Sequence, residues 1–199
     1  MPTGPTAKGE VVRKRILDAA IEIIHEWGVA TFTLDELCAR SSTSRGQIFH
    51  YFPEGKSQIL TAVAAEERAR VVSQPSLRIP DLGSWSAWHQ WRDQLVGAYD
   101  HNGAGCDLGV LTSQLAIASP GARDIVAELM RQWHDHIAAG IEKMKIQNVI
   151  RPEIDSLQTS RALIAGIQGG AMMSLMTGSS SHLAAAVDVV IEYLRQFAK

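Results

Sequence analysis

The sequence predicts an all-α protein of about nine helices, with a three-helix N-terminal module and a larger helical remainder. Two observations lead there: apolar residues recur at helical spacing along nearly the whole chain, and no run shows convincing strand-type alternation. A third is punctuation, since Ser and Thr caps, glycines and prolines interrupt the pattern at helix-sized intervals.

The first helix is expected from Val11 to Trp27, with Ile16, Leu17, Ala20, Ile21 and Ile24 on one face and Gly28 as its stop. Two short helices follow, Leu34 to Arg40 and Ser44 to Tyr51, the second ended by Pro53, which disfavours helical backbone at Phe52. A fourth, Glu54 to Val72, joins the two parts, and the polar, Pro-bearing stretch Ser73 to Gly83 is a loop. Then come Ser84 to Tyr99, a Gly-rich turn at His101 to Gly105, and a short helix through Ala118. Ser119 and Pro120 cap a long helix to Gln147, and the last two helices run from Asp155 to Thr177, stopped by Gly178, and from Ser181 to Phe197.

Of the 199 residues, 46% are apolar, enough for a buried core, and the formal charge is only -2. The first 60 residues hold seven basic and seven acidic side chains, so no global field selects a polyanionic partner. Any such contact must be local. No stretch approaches the roughly 20 apolar residues of a membrane span. The basic N-terminal arm has no apolar run behind it, so a cytoplasmic location is expected.

Cys38 and Cys106 are far apart and outside any CxxC spacing, which argues against a disulfide framework or structural zinc. His134 and His136 are two apart on one helix and face different sides, so no metal site and no cofactor are expected. Gly55-Lys56-Ser57 resembles the tail of a phosphate-binding loop, but His50 stands where that loop needs glycine.

The informative segment is Thr33 to Lys56. Thr33 with Glu36 and Ser44 with Gln47 both fit the capping box and start two helices eleven residues apart. The turn between them is then only Ser41 to Thr43, the spacing of a helix-turn-helix, with Leu34, Leu37, Ile48 and Tyr51 as the buried contacts. With Ile48 facing inward, Gly46 and His50 point away and Gln47 and Phe49 flank them. An exposed mid-helix glycine costs about 1 kcal/mol relative to Ala, and close approach of a DNA groove would explain it. Arg45 can read guanine and Gln47 adenine. Thr33, Ser44, His50, Tyr51 and Lys56 can donate to phosphates. Gln47 could instead serve only as the cap of Ser44, and Phe49 could pack on the first helix.

Residues 28–60, GVATFTLDELCARSSTSRGQIFHYFPEGKSQIL, resemble the DNA-binding domain of the TetR family of regulators. Arg45, Gly46, Ile48, Phe49, Tyr51, Phe52 and Lys56 occupy the slots of its recognition-helix pattern, over a resemblance extending across residues 10–60. Ser42 and Thr43 depart from it, standing where the turn usually has Gly and Val. The resemblance implies a DNA-binding domain at residues 1–56 and a ligand-binding and dimerisation domain at 57–199. It implies a transcriptional repressor that binds palindromic operator DNA as a homodimer and is released by a small-molecule effector. The tracts GCDLG and IQGGAMM resemble a branch that often controls efflux or detoxification genes.

Trp85, Trp88 and Trp91 form an aromatic stripe, and with Trp133, Ile137, Gln168, Met172 and Met173 they suit a cavity for an apolar or aromatic effector. Ordinary core packing is the alternative for each ring. Cys106, near the start of a helix, offers a rival thiol trigger for redox or electrophiles, opposed by its neighbour Asp107. A dimer interface is expected on the last two helices. Leu183, Val187, Val190, Leu194 and Phe197 make its apolar stripe, and Gly166, Gly169 and Gly170 allow close approach. No nucleophile, base and orienting group stand at recognisable spacing, so the chain is not expected to be an enzyme. A helical enzyme or a protein-binding adaptor are the readings of a different class.

Overall fold

The computed structural model describes residues 7–73, 78–101 and 107–199, with backbone alone at 101 and 107–110. Among them are nine helices: α1 (Ala7–Trp27), α2 (Leu34–Ser41), α3 (Arg45–Tyr51), α4 (Lys56–Ser73), α5 (Trp85–His101), α6 (Asp107–Ala118), α7 (Pro120–Ile146), α8 (Ser156–Thr177) and α9 (Ser181–Arg195). The fold is all-α, as the periodicity predicts. The chain divides into two compact units, one of residues 1–68 with 111–126, the other of residues 69–110 with 127–199.

Helix ends differ from expectation by a few residues. α1 begins at Ala7 instead of Val11, and α9 ends at Arg195, after which Phe197 joins a turn. The glycine-rich turn, apart from His101, and Cys106 lie outside the described residues.

In the first unit the inner face of α1, through Ile16, Ala20, Ile23 and Ile24, packs with Leu37, Ile48, Phe52, Ile59, Leu60 and Val63 into one core. Gly28, at φ 82°, ends α1 in a left-handed conformation that suits glycine. Leu111, Leu115 and Ala122 belong to the same core. Polar contacts hold that segment in place: Gln114 Oε1 accepts the Val29 N–H at 3.0 Å. The buried Ser119 hydroxyl lies 3.0 Å from that of Thr61 and 3.3 Å from that of Ser57. His25 Nε2 meets the buried Glu67 carboxylate at 2.7 Å.

The second unit is built on the α8–α9 pair, with α5 against α9. Its core contains Leu82, Trp88, Trp91, Ile137, Ile141, Leu163, Ile167, Leu183, Val187, Ile191 and Leu194. Asp155 caps α8, and Gly178 ends it at φ 69°. Arg92 of α5 pairs with Asp188 of α9 through two bonds of 2.8 Å. This attraction holds the Asp188 carboxyl below its ordinary value against the opposing effect of burial.

Candidate nucleic-acid interface and ligand cleft

The helix-turn-helix forms as the caps predict, with one difference. Ser44 and Gln47 make a complete capping box: the Ser44 hydroxyl accepts the Gln47 N–H, and Gln47 Oε1 accepts the Ser44 N–H at 3.0 Å. Thr33 accepts the Glu36 N–H at 3.2 Å, but the expected reciprocal bond is replaced by an approach of the Glu36 carboxylate to Arg40 at 3.8 Å. An ion pair one turn along the helix draws that carboxylate away.

The turn explains the two departures from the family pattern. Ser42 sits at φ 51° and ψ 44°, the left-handed region where glycine carries no steric penalty. Thr43 is buried, and its hydroxyl lies 2.6 Å from that of Ser41, which donates to the Leu37 carbonyl. Thr43 is therefore the donor to Ser41, and its polar atom is satisfied inside the core.

Ile48 is fully buried, and the opposite face of α3 is open, with Arg45, Gly46, Gln47, Phe49 and His50 exposed. A Cβ added at Gly46 would meet Ser44 Oγ at 3.8 Å and nothing nearer among the described residues, so their packing does not require this glycine. Arg45 is held by Asp35, with Nη2 and Nε at 2.7 and 3.1 Å from one carboxylate oxygen. Phe49 is 44% exposed, and its ring lies beside Gly55, where an added Cβ would meet it at 3.0 Å. His50 stacks edge-on with the half-buried Tyr51 at 4.8 Å.

Lys56 takes a place that sequence reasoning missed. Its ammonium donates to the Phe32 carbonyl at 2.6 Å and lies 5.5 Å from the Phe32 ring centroid. It ties the start of α4 to the segment preceding α2.

In the second unit the expected ligand residues do not converge on one cavity. Trp88, Trp91 and Ile137 are core side chains, the two indoles edge to face at 5.9 Å. Trp85 is half-buried under the Arg195 guanidinium at 5.9 Å. Gln168 is 3.8 Å from Met130 sulfur, Met172 is 39% exposed, and Met173 is half-buried. The stripe at helical spacing serves the unit's own core because burial on one face is what that periodicity secures.

The space available lies elsewhere, in a cleft of about 620 Å³ formed by the end of α4, residues 78–82, Gln94 of α5, and His136, Ala139, Gly140 and Lys143 of α7. An adjoining recess of about 400 Å³ shares Val72, Arg78, Ile79 and His136 with it and adds Leu129, Gln132 and Trp133. Among the described residues, Trp133 alone of the expected ligand set lines either one. The segment at the cleft floor is fastened to α7. Lys143 pairs with Asp81, holding that carboxyl below its ordinary value mainly through their hydrogen bond. Leu82 sits so close to Gly140 that an added Cβ would come within 2.5 Å of it. No sequence motif marks these residues, which come from two helices, a loop and a helix end.

The expected interface residues lie largely in the core of their own unit. Leu183, Val187 and Leu194 are fully buried in their own unit, and Val190 and Phe197 are partly buried against the same core. Gly166 and Gly170 admit α9, since added Cβ atoms would meet Ala186 at 3.0 Å and the Leu183 backbone at 2.5 Å. Gly169 alone of the three faces open space, as far as the described residues go.

Comparison with known proteins matches the chain in two separate stretches. Residues 16–63 match the family described as bacterial regulatory proteins, tetR family, and residues 86–190 match the tetracyclin repressor-like C-terminal domain. The chain is 34% identical over 82 residues to the HTH-type transcriptional regulator SrpR of Pseudomonas putida, a match covering 41% of this chain and 37% of SrpR. It is 23% identical to the uncharacterized HTH-type transcriptional regulator YxaF of Bacillus subtilis, over 89% of this chain and 92% of the relative. The structure of a TetR transcription regulator from Haloarcula marismortui superposes with a TM-score of 0.75 at 16% identity, covering 96% of this chain and 100% of that one. The family's members are DNA-binding transcription factors and not enzymes, and among the described residues no helix is long and apolar enough to cross a membrane. With an N-terminal helix-turn-helix and a helical C-terminal domain each matched in its own place, the chain belongs to the TetR family of transcriptional regulators.

Proposed function

We propose that the protein is a cytoplasmic repressor that binds an inverted-repeat operator as a homodimer and leaves it when a small molecule occupies the cleft of the second unit. Residues 1–56 act as the DNA-binding domain and residues 57–199 as the ligand-binding and dimerisation domain. The observation that carries the reading is Gly46, an exposed glycine inside α3 that no contact among the described residues requires. Such a residue lowers helix stability, and approach of a groove edge supplies the compensating gain. Arg45 and Gln47 beside it have the chemistry for base edges. Thr33, Ser44, Phe49, His50, Tyr51 and Lys56 complete the contact surface. Gln47 Oε1 is occupied by the cap, so its amide N–H groups are what it offers to DNA.

Dimerisation uses the outer faces of α8 and α9. Ala162, Ala165, Gly169, Met172 and Met176 recur at steps of three and four along α8, all exposed, and Ala185, Val189 and Tyr193, also exposed, recur at steps of four along α9. Two copies pack these stripes into a four-helix interface, and its two-fold axis matches a palindromic site. An effector releases DNA by binding more tightly to the conformation whose reading heads are wrongly spaced.

Selection of bound sequences from random DNA, using the full chain, tests the reading. An enriched inverted repeat with half-sites about one helical turn apart or slightly more is the expected result. No enrichment, or a lone asymmetric half-site, would overturn it.

A further inference from the structure

The cleft of the second unit has apolar walls, in Val72, Ile79, Pro80 and Leu82, and an unbalanced charge at its rim. Asp81 and Lys143 neutralise one another. Arg78 is exposed and has no ion-pair or hydrogen-bond partner among the described residues. Across the cleft His136 donates Nδ1–H to the Gln132 carbonyl at 2.7 Å, which leaves Nε2 for another group. Gln94 adds an amide. One uncommitted guanidinium beside an apolar trough is complementary to a single negative charge on an apolar body. The guanidinium fork matches the two oxygens of a carboxylate.

We infer that the effector class of this protein is the apolar monocarboxylate, its acid group held by Arg78 and its hydrocarbon or aromatic body laid along Ile79 and Leu82 toward Trp133. This assignment rests on the effector role of the cleft and specifies its chemistry. A neutral ligand of the same shape leaves Arg78 uncompensated at the rim, and a cationic one meets like charge. Asp81 does not reverse the preference, because Lys143 and the Gly83 N–H already occupy its oxygens.

The test uses the full chain and two probes of equal shape, naphthoate and its primary amide, naphthamide, titrated by calorimetry. In the wild type naphthoate binds roughly tenfold or more tighter than naphthamide, the scale of one charge-assisted bidentate contact. In Arg78→Gln that preference collapses, and in Arg78→Lys part of it returns. Operator affinity without ligand is measured on each variant and is unchanged, since Arg78 lies in the second unit and outside the reading surface. Equal or tighter binding of naphthamide, no saturable naphthoate binding up to about 5 mM, or a preference that survives Arg78→Gln would each overturn the inference. Failure of the broader reading looks different: naphthoate binds selectively, yet no DNA sequence is bound, or bound DNA is not released.

Discussion

Arg45, the first residue of α3, donates Nη2 and Nε to a single oxygen of Asp35 on α2, at 2.7 and 3.1 Å. The pair is exposed on both sides, with 62% and 77% of the side-chain surfaces accessible, so it orients the guanidinium more than it stabilises the fold. The arginine proposed to read a base is thus held in place before DNA arrives. Arg45→Ala is expected to weaken operator binding by about 1 to 3 kcal/mol and to relax base preference. Asp35→Asn removes a negative charge from the reading surface and should tighten binding to all sequences alike while reducing discrimination. Mobility shift on operator and scrambled duplexes checks both, and equal loss on the two DNAs for Arg45→Ala removes it as a base reader.

Gly46→Ala separates stability from function. Open space above Gly46 admits the methyl group, so helix propensity should raise unfolding stability by about 0.5 to 1 kcal/mol. The same methyl group obstructs close approach of DNA, and operator affinity should fall. Urea unfolding and DNA titration of one preparation decide the matter, and a variant unchanged in DNA binding would show that nothing approaches this face closely.

Ser42→Gly tests the turn. A serine at φ 51° holds the left-handed conformation at a penalty that glycine lacks. Relief of strain is partly offset by the greater freedom of glycine in the unfolded chain. The net expectation is a gain of up to about 1 kcal/mol in unfolding free energy. DNA sequence preference should not change.

Val189→Glu is expected to produce a folded monomer. Val189 is 68% exposed on the outer face of α9, so the charge enters no core, and the helical circular dichroism spectrum should be preserved. Light scattering should give half the wild-type mass, and operator binding should be lost. Val190→Glu, in contrast, puts a carboxylate against the unit's own core and should lower stability. A Val189→Glu protein that remains dimeric would remove the proposed interface.

The Arg92–Asp188 pair predicts an acid-dependent contribution. Because the folded carboxyl titrates below the ordinary 3.8, its contribution is fully present above that value and is lost as pH falls through the lower folded one. Both side chains are partly exposed, so the bidentate pair contributes about 0.5 to 1 kcal/mol. Wild type should melt above Asp188→Asn at about pH 6, and the difference should shrink as pH falls below the ordinary carboxylate value. A difference that grows on acidification would contradict the assignment.

The sequence by itself determined the helical class, the helix boundaries to within about two residues except at the start of α1, and the helix-turn-helix. These depend on local rules, in which a capping hydroxyl reaches a backbone N–H three residues on and a glycine ends a helix where φ turns positive. Ser44 with Gln47, Gly28 and Gly178 all act at that range. What only the tertiary structure decided was the destination of each apolar stripe. Leu183, Val187 and Leu194 have the same periodicity whether they face a partner or their own core. Contacts far along the chain, such as Leu183 against Gly170, assigned them to the core and left Val189 and Gly169 outside. The same holds for the cleft, where Arg78, Gln94 and His136 share a surface that no spacing in the sequence encodes, because side-chain neighbourhood across helices is set by packing and not by proximity along the chain.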